Sequence, residues 1–281
     1  MVYDFDGTLS PQSMQNYTVL PKIGTKPSDF WRLVEQEAKA TRSDKMLVYM
    51  RLILEKAEEK KVRITKEDFK TLASKIKFFP GVEDWFERMN GFVKSEGEQK
   101  ILIKHYLISG GNKEILDGVK MARHFENIYA SEYHFNHNGV AVFPKILVTD
   151  TTKTQFLFRI NKGREDVAET INDHMPEAQR PIPFSNMIYI GDGLTDVPCM
   201  ALTKKSGGHT IAVYQKGSSK GLGVCKTLLH ANRADFIAPA DYRKGSDLSR
   251  RVQILLRSII TQIQFQREVF ECQRRHARVK H

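Results

Sequence analysis

Four carboxylates in two short clusters dominate the chemistry open to this chain. Asp4 and Asp6 stand in Asp4-Phe5-Asp6-Gly7-Thr8-Leu9, and Asp192 and Asp196 in Gly191-Asp192-Gly193-Leu194-Thr195-Asp196. Each cluster follows an apolar run of strand type, Met1-Val2-Tyr3 or Met187-Ile188-Tyr189-Ile190. If those strands lie side by side in a parallel sheet, the four acids meet at its C-terminal edge, where open α/β sheets bind ligands. Carboxylates that close repel strongly unless a positive charge sits among them. A hard divalent cation with oxygen ligands answers this, and Mg²⁺ suits so small a cluster. Its expected ligands lie among Asp4, Asp6 and Asp192.

Asp4 is placed to act as a nucleophile, because its strand ends there and turns sharply at Gly7. A carboxylate can attack phosphorus and carry the phosphoryl group, which splits hydrolysis into two easier steps. Asp6, two residues on, can give a proton to the leaving group and later take one from water. Ser109, in Ser109-Gly110-Gly111, and the N–H of Gly110 can grip a phosphoryl oxygen, and Thr8 is counted with them. Lys153 opens a helix in Thr151-Thr152-Lys153-Thr154, where its ammonium can neutralise charge on the aspartate and the phosphoryl oxygens. Lys162 is a competitor, set aside because it does not open the helix. Gly193 supports the second cluster, and Asp196 braces it or orients Lys153.

These groups need elements to hold them. The first strand is short, with three residues before Asp4. From residue 11 to residue 79 the pattern is helical and lysine-rich, with Ser28 and Ser43 as expected N-caps and Thr65-Lys66-Glu67-Asp68 as a capping box. Phe79-Pro80-Gly81-Val82 ends that segment, and a helix over 83–94 returns the chain to the main body. Beyond it, strands are expected over 101–108, 187–190, 210–214 and 235–238, and a hairpin over 128–135 and 140–143. Helices are expected over 113–124, from 152 and over 195–203. Such alternation predicts a Rossmann-like, doubly wound parallel α/β sheet. Residues 1–10 and 80–281 form its core, and 11–79 an inserted helical domain. A final amphipathic helix begins near Ser246 and is read as packing on the sheet rather than as a dimerisation helix; nothing else bears on an oligomeric state.

Composition narrows the function classes. Of 281 residues, 41% are hydrophobic and 27% charged, as expected of a soluble globular chain. No apolar run is long enough to span a bilayer, and no signal peptide precedes the first strand. Cys199, Cys225 and Cys272 are widely spaced, which argues against a disulfide framework or zinc site and for the cytoplasm. The net charge of +11 and the basic run 274–280 raise nucleic-acid binding. The charges are dispersed and no RNA- or DNA-binding signature is visible, so a basic surface that attracts small anionic substrates is preferred. His134 and His137 fall in a hairpin, where their spacing does not make a metal site. Trp31 and Trp85 read as core or insert packing; Met46 and Met50 could line the inner face of the helical insert, with a core role preferred.

Asp4-Phe5-Asp6-Gly7-Thr8, Ser109, Lys153 and Gly191-Asp192-Gly193-Leu194-Thr195-Asp196 resemble, in order, the four motifs of the haloacid dehalogenase superfamily. The resemblance implies a Mg²⁺-dependent hydrolase that cleaves a small phosphorylated metabolite through an aspartyl-phosphate. It makes the helical insert a C1 cap over the site, in which Arg42 and Arg51 are residues to watch for contact with the leaving group. An acid at Asp6 is absent from the dehalogenase and phosphonatase branches and implies phosphatase or phosphomutase chemistry. Ser109-Gly110-Gly111 and the hairpin resemble the phosphoserine phosphatase branch most. That branch carries a glutamate soon after the first motif, whereas Ser10-Pro11-Gln12-Ser13-Met14 has no acid, which argues against phosphoserine. The rival readings are a phosphotransferase or mutase using the same intermediate, and a catalytically idle nucleic-acid binder.

Overall fold

Alternation in the central strands dictates a sheet covered on both faces. Val2, Tyr106, Ile108 and Tyr189 are buried in one core, and Tyr3, Leu107, Ile188 and Ile190 in another. Successive strand residues point to opposite sides, so strands apolar throughout are stable only when both sides are packed. The computed structural model, which describes residues 1–277, shows this arrangement. Its strands are β1 (Val2–Tyr3), β2 (Tyr106–Asn112), β3 (Asn127–Phe135), β4 (Ala141–Ile146), β5 (Ile188–Gly191), β6 (His209–Tyr214) and β7 (Phe236–Pro239). They form one sheet in the order β4-β3-β2-β1-β5-β6-β7. All neighbours run parallel except β3 and β4, the expected hairpin.

The chain leaves β1 toward β2 on one side and returns to β5 on the other. The strand order therefore reverses at β1/β5, where such sheets open a crevice beyond their C-terminal ends.

Five helices lie between β1 and the return helix: α1 (Met14–Tyr17), α2 (Val19–Lys22), α3 (Pro27–Thr41), α4 (Lys45–Glu59) and α5 (Lys66–Leu72). The return helix is α6 (Val82–Glu96), and a short α7 (Lys113–Leu116) follows β2. Next come α8 (Lys153–Lys162), α9 (Val197–Lys205), α10 (Ser219–His230) and α11 (Asp247–Ala277). Helices α8, α9 and α10 cover the Val2 face, while α6, α11 and the five inserted helices share the core of the Tyr3 face. Among the described residues, no helix is long and apolar enough to cross a membrane.

Several local expectations change. Helix α3 starts at Pro27, one residue before Ser28, because proline's fixed φ suits the first helical position. Asp44, not Ser43, caps α4: its carboxylate accepts from the N–H groups of Met46 (2.8 Å) and Leu47 (3.1 Å). The Thr65–Asp68 capping box is present. Residues 101–105 are not a strand. β2 begins at Tyr106, where its neighbour Val2 begins, and the upstream residues have no β1 partner. The helix expected over 113–124 stops at Leu116, and a 3-10 turn covers Lys120–His124. Gly118 lies against α5 so closely that a Cβ would sit 2.6 Å from the Lys70 carbonyl oxygen, and the chain bends there.

Helix α11 buries Leu248, Val252, Leu255, Leu256, Ile259 and Ile260, as its periodicity predicts. Beyond them Phe265 and Phe270 are exposed. Arg274, Arg275 and His276 are solvated, and the rest of the basic run, Arg278–Lys280, lies outside the described residues.

Candidate active site

The two acidic turns meet at the β1/β5 crevice. The Asp4 N–H donates to the Ile190 carbonyl at 2.9 Å, so the first acid follows the last paired residue of β1. The chain then folds back on itself, with the N–H groups of Thr8, Leu9 and Ser10 all reaching the Phe5 carbonyl. Gly7 has φ +81°, and a Cβ there would lie 2.1 Å from Asp192 Oδ2. Only glycine lets the first turn approach the second this closely. One carboxylate oxygen from each of Asp4, Asp192 and Asp196 lies within 4.8 Å of the others.

Lys153, the first residue of α8, reaches into this cluster. Its Nζ donates to Asp4 Oδ1 at 2.7 Å and to Asp196 Oδ1 at 2.8 Å, and all three side chains are buried. Burial alone would lower the ammonium's pKa, but Asp196 and Asp4 outweigh it and hold the amine charged. Lys162 is elsewhere, donating to the carbonyls of Ile171 and Asp173.

Asp196 is saturated by its neighbours. It also accepts from the Tyr189 hydroxyl (2.7 Å) and from the N–H groups of Asp192 (3.1 Å) and Gly193 (3.4 Å). It braces Lys153 and the second turn. Asp192 differs: among the described residues its carboxylate accepts no hydrogen bond. Burial, then Asp4 and Asp196, push its pKa up to about 8.

A hard cation fits this donor set. Asp192 supplies an uncompensated carboxylate beside Asp4, and the Asp6 carbonyl accepts no hydrogen bond among the described residues. Asp192→Asn should therefore have two measurable effects. Asp192's pKa is raised in the folded state, so its ionisation costs stability progressively as pH rises from about 4 to about 8. The metal-free variant should melt above the metal-free parent at alkaline pH, by about 2–4 °C for each kcal/mol relieved. It should also lose most of the stabilisation that added Mg²⁺ gives the parent. Equal Mg²⁺ titrations for the two proteins would reject the ligand role.

Asp4 itself is raised to about 6 by burial and by Asp196, against the opposing pull of Lys153. Asp6 is raised to about 8 by desolvation and by Asp4, and the Met14 N–H fixes its Oδ1 at 2.8 Å. A carboxyl held protonated near neutrality beside an ionised one is the arrangement an acid–nucleophile pair requires.

Thr8 lies beside Asp4 but not on the cavity wall. Its side chain is absent from the cavity wall and donates to Asp4 Oδ2 at 3.4 Å, while the Tyr242 hydroxyl holds its carbonyl at 2.9 Å. These contacts tie Thr8 to the turn that carries Asp4.

Ser109 and Gly110 line a cavity of about 220 Å³ with Asp4, Asp6 and Lys153. They sit at a bulge of β2 rather than at the start of a long helix, and Ser109 Oγ accepts from the Gly111 N–H at 3.0 Å. Trp31, Met46, Tyr49, Gln15, Ser13 and Asp150 complete much of the wall. Trp85 and Met50 are core residues, as read from sequence, whereas Trp31 and Met46 are not wholly so. Arg42 ends α3 at the surface, and Arg51 pairs with Glu37 and Glu55; neither lines the cavity. His134 and His137 are exposed hairpin residues.

A family model described as haloacid dehalogenase-like hydrolase matches residues 1–201. The chain belongs to that family. An uncharacterized protein of Borreliella burgdorferi is 29% identical over 272 residues, covering 88% of this chain and 93% of that protein. Among solved structures, a phosphoserine phosphatase captured as a phospho-aspartyl intermediate analogue matches with a TM-score of 0.55 at 16% identity, over 90% of this chain and 96% of its own. A probable phosphoserine phosphatase of Vibrio cholerae matches with a TM-score of 0.57 at 15% identity, over 94% of this chain and 66% of its own. A hydrolase of the same family from Salmonella enterica serovar Typhi matches at 0.50, and this chain spans 61% of its length. These likenesses give the haloacid dehalogenase-like chain its α/β Rossmann-like class.

Proposed function

We propose that this haloacid dehalogenase-like chain is a Mg²⁺-dependent phosphatase, with Asp4 the nucleophile and helices α1–α5 the cap through which the leaving group is read. One observation carries the reading. A buried lysine amine bridges Asp4 and Asp196 on the wall of a small cavity that also holds Asp6 and Ser109. An ionised nucleophile, a protonated acid and a fixed cation within one pocket match the needs of phosphoryl transfer to a carboxylate.

In this mechanism a phosphomonoester enters with phosphorus facing Asp4. Ser109, Gly110 and Lys153 hold the phosphoryl oxygens, and Lys153 stabilises charge as the aspartyl-phosphate forms. Asp6 gives its proton to the departing alkoxide. It then takes a proton from the water that releases phosphate. Asp4, Asp192 and the Asp6 carbonyl would hold Mg²⁺, which when bound supplies electrostatic screening between carboxylate and phosphate.

Hydrolysis of 4-nitrophenyl phosphate by the full chain, lost with EDTA and restored by Mg²⁺, is the expected result. No turnover with saturating Mg²⁺ would overturn the reading. Asp6→Asn should slow hydrolysis of alkyl phosphates by about 10²–10⁴-fold. In the parent, the proton on Asp6 is lost as pH rises through about 8, so the alkyl rate should fall on that side. The variant, having no proton to lose there, should lack that alkaline limb. A limb of unchanged position in both proteins would remove Asp6 from the acid role.

A further inference from the structure

The wall of the cavity opposite the catalytic acids comes from the inserted helices, and its chemistry is selective. Trp31 of α3 and Met46 and Tyr49 of α4 line it. The Trp31 and Tyr49 rings lie 5.8 Å apart at 57°. Both polar ends are already engaged. Trp31 Nε1–H donates to Asn16 Oδ1 at 2.7 Å, and the Tyr49 hydroxyl donates to the Gly110 carbonyl at 2.9 Å. The Gln15 amide nitrogen likewise donates to Asn112 Oδ1 at 3.1 Å. What remains for a leaving group is the Trp31 ring, the Met46 thioether, the Ser13 and Thr195 hydroxyls and the Asp150 carboxylate.

The charge balance points the same way. Among the described residues Lys153 is the one cation lining the cavity, and Asp4 and Asp196 already hold it. Arg42 and Arg51 lie outside the wall. Asp150 has Asp44, the N-cap of α4, as a further acidic neighbour. A carboxylate or second phosphate on the leaving group would meet acids with no cation to pair it. An ammonium would meet the Trp31 ring, which attracts cations through its quadrupole, and the acids that line the same cavity.

We infer that the substrate is the phosphate monoester of a short alcohol bearing one positive charge and no second anion, its ammonium lodged against Trp31 in the cavity that Asp150 also lines. This rests on the phosphatase reading above. The reaction breaks the bond between phosphorus and the alcohol oxygen, and one water supplies the atoms that complete alcohol and inorganic phosphate. A cavity of about 220 Å³ suits a phosphoryl group with a few further heavy atoms.

The test compares kcat/KM of the full chain with Mg²⁺ across matched esters. Phosphocholine is set against 3,3-dimethylbutyl phosphate, its uncharged isostere, and phosphoethanolamine against phosphoserine, which adds only a carboxylate. The aryl ester 4-nitrophenyl phosphate serves as the generic control. The expected result is a preference of about tenfold or more for a cationic ester over its matched partner. Trp31→Leu and Asp150→Asn should each shrink that ratio about threefold or more, whatever they do to overall rate. Asp150 is largely exposed, so its variant keeps the test open if the Trp31 variant fails to fold. If the aryl ester turns over but neither cationic ester outruns its partner, or the ratios survive both substitutions, the inference is wrong and the phosphatase reading stands. If no ester turns over at all, the phosphatase reading fails first and takes this inference with it.

Discussion

Asp4→Asn should reduce kcat on every phosphate ester by on the order of 10⁴-fold or more while the protein stays folded. The amide matches the carboxylate in shape but cannot attack phosphorus, so no phosphoryl group can be carried on residue 4. The fold has little reason to respond. The backbone N–H of residue 4 still reaches the Ile190 carbonyl, and Lys153 keeps its bond to Asp196. Losing one of several crowded carboxylates also relieves repulsion in the metal-free state. Steady-state rates and thermal melts on the same preparation check this. A variant within about tenfold of the parent rate would transfer the nucleophile's role to another residue.

Lys153→Met should have the second-largest effect, and it should strike stability as well as rate. The amine is the shared partner of two buried carboxylates, at 2.7 Å and 2.8 Å. Removing it leaves both charges facing each other without compensation, a loss of about 3–5 kcal/mol for a buried pair broken from one side. Denaturant midpoints read this directly. The pH dependence supplies the sign. Asp4 is already raised to about 6 by burial and Asp196, and without the ammonium it is raised further. The folded variant then binds more protons than the unfolded chain, so its deficit should shrink as pH falls toward 5 and widen as it rises. A deficit that is flat across that range would mean the amine is not what balances the two acids.

The parts of the site visible in sequence were those whose positions follow from chain geometry. An acid just past an apolar strand must lie near the end of that strand, and parallel pairing brings Asp4 and Asp192 together. Lys153 was distinguishable from Lys162 because only the first opens its helix. The surroundings of Thr8 were not readable in sequence, because Tyr242, more than two hundred residues away, holds its carbonyl.

The leaving-group wall was legible only in part, through Met46. Helical periodicity marks Trp31 and Met46 as inward-facing, but core and cavity are both inward, and only the tertiary packing of α3 and α4 separates them. Asp150 lies in a turn, where an acid is ordinary. At the level of the fold, the strand order is not written in alternation alone. The apolar residues 101–103 look like strand until the neighbour they would pair with is shown to begin at Val2.

Two residues make up β1, yet it is hydrogen-bonded on both flanks and lies in the middle of the seven strands. The carboxylate proposed to attack is thus mounted on a strand paired on both sides, with no free edge from which to fray. Amides around Tyr3 and Asp4 should be among the slowest to exchange with solvent. Heat inactivation should follow the cooperative melting of the whole domain rather than any earlier, local loosening.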